Sequence, residues 1–365
     1  MSTYKGNCFF AYCQKRGYIC VVMQRLKELY RKHAHAEPIS VTLLPLSGSA
    51  RKYYRMTGHD CPPIIGCIGT SVAENRAFIA IAEQFARHDL DAPRVYGVSS
   101  DGLCYIQEDL GDAQLFELLK PNVPDGSFTA EQMGWLRETM RMLPVLQYKV
   151  GEALDWSVCY PDRELNARMV NFDLNYFKYD FLKLIPISFN EIRLQDDIDR
   201  LCRDAIGYEG NTFMYRDFQA RNVMIRNGHP CFIDFQGGRR GPVQYDLASF
   251  LWNAGTHFGA ELRSGLEEEF VRSLEDFVPV DREEFGRRYR LMTLVRLLQE
   301  TAAYGFRGMV ERKQLFIDCI PAVVRSLGEL GAQCRDSYPY LADLMCRISE
   351  EWDGSTIIPG FSVQL

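Results

Sequence analysis

A chain of 365 residues, 47% apolar and 25% charged, is long enough for two lobes with sizeable cores. Its formal charge of −6 comes with basic residues that are scattered rather than massed, which favours neither nucleic acid nor an anionic membrane as a partner. No apolar run nears the roughly 20 residues of a spanning helix and no leader pattern is evident, so a cytoplasmic setting is expected, with the twelve cysteines, none in a C-x-x-C pair, reduced.

In chain order, residues 1–22 contain Cys8, Cys13 and Cys20 but no recognisable element, and are expected to be dispensable. A helix is expected over 23–33, then strand, small-residue turn and strand over 43–55, with Ser47, Gly48 and Ser49 in the turn and Arg51 and Lys52 after it. An apolar strand over 64–69 contains no Lys. Apolar residues at helical spacing (Ala77, Ile81, Phe85) predict a helix over 73–88, with Glu74 in its first turn. A strand over 103–107 runs into the polar turn Glu108-Asp109-Leu110-Gly111-Asp112, where Asp112 is placed to cap a helix over 114–119. Helical periodicity continues over 131–148, 163–184, 196–206, 261–277, 281–304 and 312–330. The expectation is an α+β chain of two lobes: a five-stranded antiparallel sheet with one major helix over 23–109, and a mainly helical remainder over 110–365.

The stretch from Tyr215 to Phe235 carries the chemistry. Asp217 and Asn222 have four residues between them, and Asp234 follows after a short hairpin. Asn227-Gly228 is the dipeptide that accepts the positive φ angles of a two-residue type I′ turn. Counting back from it pairs Arg226 with His229, Met224 with Cys231 and Asn222 with Ile233, so Asn222 and Asp234 reach the open end on strands about 5 Å apart. Pro230 falls at a non-hydrogen-bonded pair with Ile225, where its missing N–H costs least. Strict alternation would send Asn222 and Asp234 to opposite faces, so the ladder must break at its end. Taken singly, each acid is an ordinary turn or cap residue; together they supply a carboxylate beside an attacking hydroxyl and two hard oxygen ligands of the kind Mg²⁺ takes in phosphoryl transfer.

These residues resemble the aminoglycoside-phosphotransferase branch of the kinase-like superfamily, with Tyr215 in place of the usual His. The runs Ile233-Asp234-Phe235-Gln236 and Gly241-Pro242-Val243-Gln244-Tyr245-Asp246-Leu247-Ala248-Ser249 look most like bacterial anomeric kinases of N-acetylmuramate and N-acetylglucosamine. The resemblance implies a two-lobed protein-kinase-like fold using ATP and Mg²⁺. It further implies Asp217 and Arg221 as catalytic residues, Asn222 and Asp234 as metal ligands, Ser47, Gly48, Ser49, Arg51 and Lys52 around the phosphates, and backbone at Glu108 and Leu110 for adenine. The absent third-strand Lys departs from that pattern: Arg51, Lys52 or Arg221 could replace it, and the ion pair expected of Glu74 is in doubt. The expected partner is a small molecule, an amino sugar, and a monomer suffices. Aromatic and polar residues over 162–184 (Phe172, Asp173, Tyr176, Phe177, Tyr179, Asp180) suit a sugar, although a stripe at helical spacing is more often core. Gln299, Tyr304 and Arg307 could close over the same cleft. An aminoglycoside kinase, a choline- or ethanolamine-type kinase and an inactive nucleotide-binding regulator are the alternatives.

Overall fold

The structure, a computed structural model, describes residues 22–45, 51–124, 126–208 and 210–352. Ser47, Gly48, Ser49 and residues 1–21 lie outside the described residues. Helix α1 (22–34) is already formed at Val22, whose side chain is buried against Leu26 and Tyr30, so the boundary drawn after residue 22 falls inside a core element.

Strands β1 (Ser40–Leu43), β2 (Lys52–Thr57), β3 (Ile64–Ile68), β4 (Val95–Val98) and β5 (Cys104–Glu108) form the expected antiparallel sheet, in the order β1-β2-β3-β5-β4. Successive side chains point to opposite faces. Met56, Ile64, Cys104 and Ile106 therefore pack under α1. Cys67 and Tyr105 enter a second core with helix α2 (Val72–Arg87) and the catalytic hairpin. Ser71 caps α2 by accepting from the Glu74 amide at 3.3 Å, which fixes Glu74 in the first turn.

The second lobe opens with the short α3 (Leu115–Leu119) and the long α4 (Ala130–Ala153), which starts at a capping box between Thr129 and Gln132. Helices α5 (Ala167–Asp180) and α6 (Glu191–Ala205) precede strand β6 (Phe213–Met214), hairpin β7 (Val223–Arg226) and β8 (His229–Phe232), and β9 (Arg239–Arg240), which pairs with β6. Then follow α7 (Gln244–Leu251), α8 (Ala260–Leu274) and α9 (Arg282–Tyr304), the last capped by Asp281. The helix expected over 312–330 is two, α10 (Gln314–Ile317) and α11 (Ile320–Gln333), with Pro321, which lacks the amide a continuing helix would use, in the first turn of the second. α12 (Pro339–Glu351) was not foreseen. α5, α6, α9, α11 and α12 bury a third core. Where α9 ends against α5, only glycine fits, since a Cβ on Gly305 would lie 2.0 Å from the Asp180 carbonyl oxygen. Among the described residues no helix is long and apolar enough to cross a membrane.

Candidate active site

The hairpin has the expected register, with Arg226 opposite His229 and Met224 opposite Cys231. Asn227 (φ 52°) and Gly228 (φ 85°) make its turn. Opposite Pro230, the Ile225 amide turns outward to the Ala113 carbonyl at 2.7 Å, so the missing proline N–H leaves no gap in the ladder. The Ile233 amide reaches the Asn222 carbonyl at 3.0 Å, and there regular pairing stops. Asp234 has φ 67°, a left-handed conformation that costs a non-glycine residue roughly 1 kcal/mol or more. With this break the strict alternation of the strand ends at Asp234. Phe235 anchors the break, stacked on Phe78 and Phe85 of α2 with ring centroids 4.7 and 4.8 Å away.

The loop ahead of the hairpin is held from below. Buried Asp246 on α7 accepts from the amides of Tyr215 (2.7 Å) and Arg216 (2.9 Å) and from Gln147 Nε2 (2.9 Å). These bonds hold Arg216 at φ 83°. Burial pushes the Asp246 carboxyl up to about 7, against the pull of those donors. Tyr215, in the place of the expected His, is fully buried and donates its hydroxyl to the Ile233 carbonyl, one residue before Asp234. Asn222 donates its amide nitrogen to the Asp217 carbonyl at 2.8 Å, which leaves its Oδ1 for other use.

The Asp217 side chain is 48% exposed, and Nη2 of the buried Arg296 on α9 stands 3.8 Å from its Oδ1. Arg221 has its guanidinium over the Phe116 ring at 3.5 Å from the centroid, while its carbonyl accepts from Gln114 at 2.6 Å. Behind them, Asn253 Nδ2 joins Gln219 (3.1 Å) to the buried Glu300 (2.6 Å). Burial raises the Glu300 carboxyl, with Arg296 and a hydrogen bond from Tyr304 opposing.

Across the cleft, Arg51 is 2% exposed and its Nη2 lies 3.3 Å from Glu74 Oε1. The ion pair in doubt is therefore made, by an arginine at the head of β2. Lys52 pairs with Ile68 in the sheet, and alternation turns its side chain to the face opposite Arg51 and Tyr53. Burial raises the Asp234 carboxyl, and nearby Asp217 and Glu74 add to this while the Gln236 hydrogen bond and Arg51 oppose it. A carboxylate crowded by other acids beside an amide oxygen is a donor set that Mg²⁺ suits, since that ion keeps waters and phosphates as its remaining ligands. No group of three or more His, Cys, Asp or Glu that could cage a metal occurs among the described residues.

At the hinge, the Glu108 side chain pairs with Arg226 at 2.5 Å, tying β5 to the hairpin. Asp112 does not cap α3, whose N-cap is Gln114; Arg55 draws it away at 2.8 Å and also holds Asp109 at 2.6 Å. The backbone N–H and C=O of Leu110 make no hydrogen bond among the described residues. On the acceptor side, Phe177 and Asp173 are buried, Asp173 against Arg216 at 2.8 Å, whereas Phe172, Tyr176 and Tyr179 are exposed. Tyr304 is buried on Glu300, Gln299 accepts from Arg296, and Arg307 pairs with Glu311 at 3.6 Å. Sequence reasoning missed Asp246 and Arg296. The signal for Arg296 was a lone cation in the apolar run Leu294-Val295-Arg296-Leu297-Leu298.

Residues 41–280 match the model of the phosphotransferase enzyme family, APH. The chain is 24% identical to the N-acetylmuramate/N-acetylglucosamine kinase of Pseudomonas aeruginosa over 91% of its length and 96% of that protein. To the protein of the same name from Neisseria meningitidis it is 26% identical, over 52% of this chain and 58% of that one. Among solved structures it resembles a choline kinase from Streptococcus pneumoniae, with a TM-score of 0.56 at 13% identity over 83% of this chain and 98% of that chain, a likeness of fold.

Proposed function

This chain belongs to the phosphotransferase enzyme family, and from that we propose that it transfers the γ-phosphoryl group of ATP to a hydroxyl of an amino sugar of the N-acetylmuramate or N-acetylglucosamine type. The observation that carries this reading is the convergence of Asp217, Asn222 and Asp234 at the open end of one hairpin, facing a lobe that holds the Arg51–Glu74 pair.

In this reading Leu110 offers its unpaired backbone groups, with Glu108, to adenine. Arg51 carries the positive charge toward the phosphates, and Glu74 holds it in place. Asn222 and Asp234 hold Mg²⁺, which when bound offsets the charge of the β- and γ-phosphates. Asp217 takes the proton of the acceptor hydroxyl as that oxygen bonds to phosphorus and ADP leaves. Arg221 forms part of the acceptor wall, where its stacking on Phe116 fixes it.

An amino sugar is favoured over a polycationic aminoglycoside because three of the four acids over 162–184 are already engaged, which leaves Asp180 alone as an anionic contact. Asp173 pairs with Arg216, Glu164 with Arg240, and Asp162 accepts from Asn166 at 3.0 Å. The exposed rings there are Phe172, Tyr176 and Tyr179; Arg168 lies over Phe172 at 5.5 Å and Lys178 and Lys183 over Tyr179 at 5.0 and 5.3 Å, so Tyr176 is the ring that best suits a sugar. The names of the relatives point the same way. The test is kcat/KM for N-acetylmuramate, N-acetylglucosamine, choline and kanamycin with Mg·ATP at low and high salt, with the product identified by mass and NMR. A sugar preference that persists at high salt is expected; a tenfold preference for kanamycin that collapses with salt would sink the proposal.

A further inference from the structure

A carboxylate that collects a proton beside a polyphosphate needs a fixed direction and a neighbouring positive charge. The catalytic loop itself provides neither. Gln219, two residues after Asp217, is neutral, and Arg221 turns its guanidinium to Phe116. Among the described residues, Arg296 is the one side chain recorded against the Asp217 carboxylate.

Arg296 is built for a fixed geometry. Its side chain is 6% exposed on α9, its Nε donates to Ser249 Oγ at 2.8 Å, and its Nη1 donates to Gln299 Oε1. Two edges of a planar guanidinium held in this way leave the third, Nη2, aimed at Asp217 Oδ1. Burial works against its charge, but Tyr245, Glu300 and Asp217 around it raise its affinity for the proton, so it stays a cation. Ser249 lies on α7, the helix whose Asp246 holds the Tyr215 and Arg216 amides. One helix thus sets both the backbone before the base and the cation beside its side chain.

We propose that Arg296 is the positioning residue of the base: it holds the Asp217 carboxylate toward the acceptor hydroxyl and offsets the repulsion between that carboxylate and the incoming phosphates. This rests on the reading of Asp217 as general base. Arg296 makes no bond to the reacting atoms and acts through Asp217.

The test compares Arg296→Met, Arg296→Lys, Ser249→Ala, Asp217→Asn and the Asp217→Asn/Arg296→Met double variant in the full chain, with saturating Mg·ATP and the best acceptor. Arg296→Met is expected to lower kcat roughly 10²-fold with KM for nucleotide and acceptor unchanged within about twofold, as for a misaimed catalytic group. Arg296→Lys should recover about tenfold of that loss, and Ser249→Ala, the variant that keeps the charge should Arg296→Met fail to fold, should cost several-fold in kcat alone. The double variant should be no slower than Asp217→Asn. An inactive Asp217→Asn beside a fully active Arg296→Met would overturn the role of Arg296 alone, as would a loss confined to acceptor KM or losses that multiply in the double variant. Near-native turnover by Asp217→Asn would overturn the base itself, and the proposal with it.

Discussion

Arg51 and Glu74 form an ion pair at 3.3 Å between the head of β2 and the first turn of α2, inside a sheet whose third strand has no lysine. The cation has one buried place to stand, and Tyr53, Cys67 and Tyr105 close in around it on three adjacent strands. Burial works against its charge, and the hydroxyls of Tyr105 and Tyr53 together with Glu74 favour it, so it stays a cation.

Arg51→Met is therefore expected to weaken Mg·ATP binding by about 10- to 100-fold, the range for losing a charge-assisted contact of roughly 1.5–3 kcal/mol. Lys52→Met, on the opposite face, should leave affinity within about twofold. Fluorescence titration of both variants decides between them, and the reverse ranking would move the phosphate contact to Lys52.

Asp234→Ala should abolish the Mg²⁺-dependent part of nucleotide binding, because it removes the anionic member of the donor pair. Asn222→Ala should do less to the metal but should also loosen the loop, since its amide holds the Asp217 carbonyl at 2.8 Å. Calorimetry with and without Mg²⁺ checks this; equal Mg·ATP affinity in wild type and Asp234→Ala excludes the metal role.

A pH signature comes from Asp246. Its carboxyl, pushed up to about 7 by burial, keeps its proton in the folded chain after the unfolded chain has released the same proton near an ordinary aspartate pKa of about 4. Between those values the unfolded state binds fewer protons, so stability from this group falls as pH rises, by at most about 1.4 kcal/mol per unit, and levels off above the folded value. Urea midpoints at pH 5, 6, 7 and 8 should show that slope in wild type and a smaller one in Asp246→Asn. At pH 8, where this group is ionised, the variant should also be less stable by about 1–3 kcal/mol, because an amide cannot accept on both of its arms as the carboxylate does. Parallel pH curves for the two proteins would remove the assignment.

Local rules read the hairpin well. Asn227-Gly228 dictates a two-residue turn, the turn dictates the register, and the register brings Asn222 and Asp234 to one end. The α2 stripe was legible for the same reason, since it follows from spacing within a few residues, whereas the strand order, in which β3 pairs with β5, depends on contacts distant in the chain. Arg296, Asp246 and the Arg51–Glu74 pair were not, because each owes its role to partners brought together only by tertiary packing. The α5 stripe divides: Phe177 is core as helical spacing suggests, and Phe172, Tyr176 and Tyr179 are exposed. Overlooking Pro321 joined α10 and α11 into one helix.

The stacking of Phe235 between Phe78 and Phe85 has a mechanical consequence. Asp234 is one residue from that clamp, and Glu74 is one turn along the same helix, so the two acids ride on a single block. Widening the cleft for nucleotide exchange then cannot part α2 from the hairpin without unstacking three rings. Tyr105 of β5 stacks on the same Phe78 at 5.0 Å, so the central strands of the sheet are carried on that block as well.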